Sequence, residues 1–421
     1  MTTQFYGPPY GPYPAPPLPP YHEPPRPVGE LPYHRMALAT GRHRWWRPLV
    51  GTAVVTVGVF VLMLVIVVVS EVAGAALDRP LDADDMRSWG GVADTAISLV
   101  TIAVALPVVL LTARWIQARP MGTVSSVAGR LRWRWLGWCL ALALPLILLS
   151  FGVSMLIPES GDAGGDTQGM EWVGLPTFLY GLAAVCLTVP FQAAAEEYVF
   201  RGWLVQAVGA WVRWPWIAVV PQALLFAAAH GWGTAWGFAD LVVFGVVCAV
   251  LAIRTGGLEA GIALHVLNNL IGMGVAAGIA GALESDETAA DMDWVGAVVD
   301  IPMVLLYAAA VLWLAHRRKL RRVSPPAPET PPSHAGPAGA WPPPYGMPPY
   351  GAVPGAGPVP GAGPLPPGAG PLPGYGQVPV YGRSPGYAPA PPPTAPAPPP
   401  TAPAPPPATP PAEPEAADGD T

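Results

Sequence analysis

Charge is scarce in this chain: only 11% of its 421 residues are Asp, Glu, Lys or Arg. An ordinary soluble domain carries about a quarter, so that class is excluded. Lysine is almost missing, with Lys319 alone beside twenty arginines; this reads as coding bias rather than function. Cysteine is scarce too. Cys139, Cys186 and Cys248 lie in apolar runs without metal-ligand spacing, which excludes a disulfide framework and a zinc ribbon and leaves them as packing residues. No HExxH occurs, and no nucleic-acid partner is expected.

Proline and glycine are abundant instead, 59 and 48 residues, concentrated at the two ends. Between the ends, apolar runs of about 18 residues or more recur, and 52% of the chain is hydrophobic. The fold class expected is all-α: a polytopic membrane helix bundle of about eight transmembrane helices with disordered Pro-rich tails. Residues 1–40 read as a Pro/Tyr-rich arm, 41–322 as the bundle and 323–421 as a Pro/Gly/Ala-rich tail. PPY at Pro8–Tyr10 and Pro19–Tyr21 resembles ligands of proline-reading domains, so a Pro-rich-motif-binding protein is a candidate partner beside membrane lipid; a plain solvated tail is the simpler reading.

The expected spans are about 49–69, 94–113, 136–157, 173–195, 215–231, 238–253, 258–280 and 295–315. Loop charges test this count, because short loops rich in Arg and Lys stay cytoplasmic. Arg114, Arg119, Arg130, Arg132 and Arg134 follow span two, Arg201 and Arg213 follow span four, and Arg254 follows span six. Asp82, Asp84, Asp85, Glu159, Asp162, Glu284, Asp286, Glu287, Asp291 and Asp293 fill the alternate loops. The expectation is an integral protein of the cell membrane with both termini cytoplasmic.

The chemistry concentrates at Ala193–Gly202, AAAEEYVFRG, which ends an apolar run. A charge at membrane depth costs roughly 2.5 to 3.5 kcal/mol, so it rarely persists without a partner or a task. On a helix Glu197 pairs with Arg201 four residues on, while Glu196 points about 100° away and is the freer carboxylate. Glu196 is then a candidate general base, or the three form an interfacial ion pair capping a helix. His230 ends LLFAAAH, and His265 shares a face with Asn269 in HVLNN. At about 1.5 Å per residue His265 lies roughly 10 Å into its span, near Glu196. His230 lies roughly 24 Å deep measured from Trp214, or roughly 13 Å if Pro215 and Pro221 delay the helix start to Pro221.

EEYVFR at Glu196–Arg201, FAAAH at Phe226–His230 and HVLNN at His265–Asn269 resemble the three ordered motifs EExxxR, FxxxH and HxxxN of the CAAX-protease and bacteriocin-processing (Abi) family of intramembrane endopeptidases. The resemblance covers about residues 90–315. It implies an eight-helix bundle that cuts peptide or membrane-protein substrates near the cytoplasmic face. Carried over, Glu196 activates water assisted by His230, His265 and Asn269 bind a metal or stabilise the oxyanion, and Glu197 with Arg201 holds the first motif. Zn²⁺ or another divalent ion on Glu196, His230 and His265 is the version favoured, a metalloendopeptidase, because Glu, His and His are the right ligand types; a metal-free glutamate base is the other. Self-immunity to a bacteriocin-like peptide is also admitted. Rival readings are an ion- or proton-coupled transporter and a non-catalytic scaffold with recruiting tails.

Overall fold

The computed structural model describes residues 28–157, 171–285 and 287–326. All lie in the first of two compact units, Met1–Ala335. The expectations for residues 1–27, for 327–421 and for Glu159, Asp162 and Asp286 fall outside the described residues. Among those described there is no sheet, only helices and isolated bridges.

Long apolar stretches leave the backbone no partner but itself, and helices result. Six are long and apolar enough to cross a membrane: α1 (Arg47–Ala76), the pair α2 (Gly91–Ala103) and α3 (Ala105–Trp115), α5 (Trp133–Ser154), the run beginning with α6 (Leu175–Glu197), α9 (Ala235–Thr255) and α11 (Trp294–Arg317). α4 is a single turn, Gly122–Ser125. α8 (Trp216–Ala229) is apolar but has only 14 residues, about 21 Å against a hydrocarbon core of about 30 Å. α10 (Glu259–Ala276) is diluted by Glu259, His265, Asn268 and Asn269. Eight helices stand where eight spans were expected, but these two depart from a simple crossing.

The fourth span corrects the sequence reading most. α6 continues through a π-helical segment, Tyr198–Leu204, into α7 (Val205–Gly209), one run of 35 residues. At about 52 Å it outreaches the hydrocarbon core, so Glu196 and Glu197 sit within a helix rather than at its end. Arg201 is not a loop charge but fully buried.

Two other arginines assigned to loops are also structural. Arg119 is buried, its Nη1 donating to Gln206 Oε1 (2.5 Å) and Thr123 Oγ1 (3.0 Å) and its Nε to Gln117 Oε1 (2.5 Å). Burial pushes its guanidinium down to about 10, still charged at neutral pH. Arg132 forks onto the fully buried Glu259, Nε–Oε1 2.8 Å and Nη2–Oε2 2.6 Å, while its Nη1 donates to Thr255 O. That fork clamps the first turn of α10, where a carboxylate also favours the helix dipole.

One end of the bundle is knitted from distant segments. A 3₁₀ turn at Tyr33–Leu38 lies within the arm read as disordered, yet Tyr33 is fully buried and donates to Val124 O. Pro32 bridges Val323, and Leu31 exchanges hydrogen bonds with Ser324. Packing of the arm thus begins before residue 41, and the two described chain ends leave from the same end of the bundle, beside Arg119 and Arg132. At the opposite end Trp172 bridges Ile279, and Thr234 N donates to Ala290 O. Gly237 permits that approach, because a Cβ there would stand 2.2 Å from Ala290 O.

Arg132→Ala strips Glu259 of its cation and should destabilise the detergent-solubilised protein by about 3 to 5 kcal/mol, the cost of breaking a buried pair from one side. Thermal unfolding followed by tryptophan fluorescence measures it, and an unchanged midpoint would refute the clamp.

Candidate active site

The site forms where α6 and its π extension meet α10 and α8. α6 presents Glu196 and Glu197 at the last turn before the π segment, a distortion found often at functional positions. Both carboxylates address one imidazole. His265 Nδ1 lies 3.1 Å from Glu197 Oε1, and its Nε2 lies 3.5 Å from Glu196 Oε2. Glu197 accepts, so Nδ1 carries a hydrogen.

The two glutamates differ in their surroundings. Glu197 is fully buried, with Arg201 Nη1 2.9 Å from Oε1, as the four-residue spacing requires. Its other oxygen lies against the backbone of Gly261, where a Cβ would stand 2.5 Å away. Glu196 keeps 12% of its side-chain surface exposed and accepts a 2.6 Å hydrogen bond from Gln192 Nε2; its Oε2 has no hydrogen-bond partner among the described residues. Asn269 Nδ2 donates to Gln192 Oε1 at 3.1 Å, so Asn269 reaches Glu196 through Gln192. Gln192 was missed in the sequence. Its signal was a polar residue one turn before Glu196 in an apolar run.

Arg201 owes its place to rings as much as to Glu197. None of its nitrogens makes a well-directed hydrogen bond, yet its Cζ stands 4.0 Å over Phe226 and 5.7 Å from the centre of Phe244. Phe226 stacks with Phe244 at 5.9 Å and meets the His265 ring edge-on at 5.9 Å. A desolvated cation over a ring gains about 2 kcal/mol, and here three phenylalanines (Phe200 at 5.9 Å) share one guanidinium. The phenylalanine of FAAAH is therefore the ring that receives the arginine of the first motif.

His230 stands apart from the cluster. α8 starts at Trp216 with Pro221 inside it, so of the two alternatives the start near Trp214 holds and the delay to Pro221 does not occur. His230 therefore caps the far end of α8, about 21 Å along. Its Nδ1 donates to Phe226 O at 2.9 Å and its ring lies 4.6 Å from Phe226, and it makes no hydrogen bond or ion pair with Glu196 or His265.

The donor set does not fit a metal as it stands. Among the described residues no three His, Cys, Asp or Glu side chains gather to hold an ion. Both nitrogens of His265 are engaged by carboxylates, and His230 is turned to its own helix.

Glu197→Gln leaves Arg201 without its anion and should cost about 3 to 5 kcal/mol of stability. Glu196→Gln keeps the Gln192 contact and should change stability by less than about 1 kcal/mol. Chemical denaturation of the two variants side by side reads the difference, and equal effects would show that the carboxylates share one role.

Residues 175–271 match the family model described as Rce1-like, type II CAAX prenyl endopeptidase, and all three motifs fall within that stretch. The uncharacterized protein YyaK of Bacillus subtilis (strain 168) is similar, 28% identical over 195 residues, which is 45% of this chain and 63% of that protein. The chain thus spans less than two thirds of that relative's length. No solved structure matches.

Proposed function

Starting from a membrane bundle whose residues 175–271 match the Rce1-like CAAX endopeptidases, we propose that it is an intramembrane endopeptidase cutting membrane-associated peptides or proteins near the cytoplasmic face. One observation carries the reading: Glu196 and Glu197 meet the two ring nitrogens of His265 across α6 and α10.

Glu196 is the general base. It is the carboxylate with residual side-chain exposure and no arginine beside it, so a water within hydrogen-bond reach gives it a proton while attacking the amide carbon. His265 receives or returns that proton across the 3.5 Å contact and hands it toward the leaving amine. Glu197 fixes the imidazole by its Nδ1–H and is itself neutralised by Arg201. Asn269 spends one amide hydrogen on Gln192, and its second is a donor for the developing oxyanion. His230 takes part once substrate brings it within reach.

The orientation follows from charge. The end bearing Arg35, Arg42, Arg119, Arg132, Arg321 and Arg322 is cytoplasmic, and the segments around Leu31 and Ser324 meet there. His265, six residues into α10 from Glu259, then lies about 9 Å from that end.

Glu196→Gln should lower kcat/KM for a membrane-anchored peptide by about 10²- to 10⁴-fold, the range for a general base, in a fluorogenic cleavage assay on purified protein. Wild-type rates in the variant would remove the base. With excess chelator the wild-type rate should hold within about twofold, as a glutamate base working without a metal requires. A loss that added zinc restores would reverse this and reinstate the metal.

A further inference from the structure

A second group of polar side chains lies in the hydrocarbon zone, outside the carboxylate site. Asp300 on α11 accepts from Ser150 Oγ on α5 at 3.4 Å, a long and weak contact. Asp240 on α9, 95% buried, has no hydrogen-bond or ion-pair partner among the described residues and stands within electrostatic reach of Asp300. Asp300 and Ser150 border a space of about 10 Å³ together with Asn268, Tyr307, Met303 and Phe244. No Arg, Lys or His lines it.

Acids and amides at this depth must find hydrogen-bond partners, and the protein supplies too few of them. A space of that size holds about one water, whose donors and acceptors suit a carboxylate, a hydroxyl and an amide. Its position adds a consequence. Phe244 forms one wall, and its ring meets the ring of His265 edge-on at 5.3 Å. One aromatic side chain therefore separates the space from the imidazole that contacts Glu196. At the other side Asn268 is exposed on the bundle.

We propose that the pocket between α5, α9, α10 and α11 binds water and supplies it to the carboxylate site past the ring of Phe244. The supply role rests on the hydrolytic reading above. Each amide bond cut consumes one water, its oxygen entering the new carboxyl and its protons ending on the leaving amine and the medium. Asp300, Ser150 and Asn268 hold the water and do not touch the reacting atoms, so they are positioning residues. Asp300 keeps the pocket wet, and a rotation of Phe244 passes one molecule at a time.

Hydroxyl-radical footprinting tests the water without requiring activity. Tyr307 and Tyr33 are both fully buried tyrosines of equal intrinsic reactivity, but only Tyr307 lines the pocket. In full-length protein in nanodiscs, Tyr307 should be oxidised about tenfold faster than Tyr33, as expected of a ring beside bound water. Asp300→Leu, or Ser150→Val should that variant not fold, should abolish the excess; Asp300→Asn, still polar, should keep it. Equal rates at the two tyrosines in the wild type would overturn the proposal. Turnover is read separately: the variants that lose labelling should lose about tenfold in kcat with KM unchanged, equivalent to about 1.4 kcal/mol. Labelling lost with kcat unchanged would overturn the supply role. A wild-type protein that labels as expected but cuts no peptide would count against the protease reading and leave the water site standing.

Discussion

Glu197, Arg201 and His265 form a buried knot on which the rest of the bundle is hung. The guanidinium and the carboxylate are both without solvent, and neither survives at that depth without the other. The imidazole closes the knot from α10, and Phe226 carries the arginine from α8. Three helices are thus tied through four side chains. Because the interior is of low polarity, each contact is strong while all are made and costly when one is removed. Such a knot specifies one arrangement of the helices more than it adds stability over an apolar core.

The surrounding architecture brings those helices to that depth. The run from Leu175 to Gly209 passes through the site because the π segment and the Arg119–Gln206 contact satisfy polar groups that would otherwise end it. α10 is set at its height by Arg132 on Glu259, and Gly261 leaves room for the Glu197 carboxylate to lie against its backbone. α1 by contrast shows most of its residues to the outside, as a helix packed on one side by α3 and otherwise by lipid does. Positioning is concentrated in the second half of the bundle, where the family match also lies.

Two neighbouring glutamates have different surroundings. Glu197 is fully buried and paired with Arg201, whereas Glu196 has no cation beside it other than the His265 ring and keeps some side-chain exposure. The contacts leave His230 one phenyl ring away from His265, with Phe226 between them.

The helical class, the approximate spans and the segregation of basic from acidic loops were legible in the chain, because a bilayer allows little besides apolar helices and leaves charge only at their ends. The pairing of Glu197 with Arg201 was legible too, since four residues is one helical turn and the pair is local. What only the tertiary structure decided is every contact between distant segments: Arg132 with Glu259, Arg119 with Gln206, Gln192 with Asn269, and both glutamates with His265. The run past Glu197 was misread for the same reason. Its charges look like an ending until partners from other helices neutralise them, and periodicity within one segment carries no information about what another segment brings.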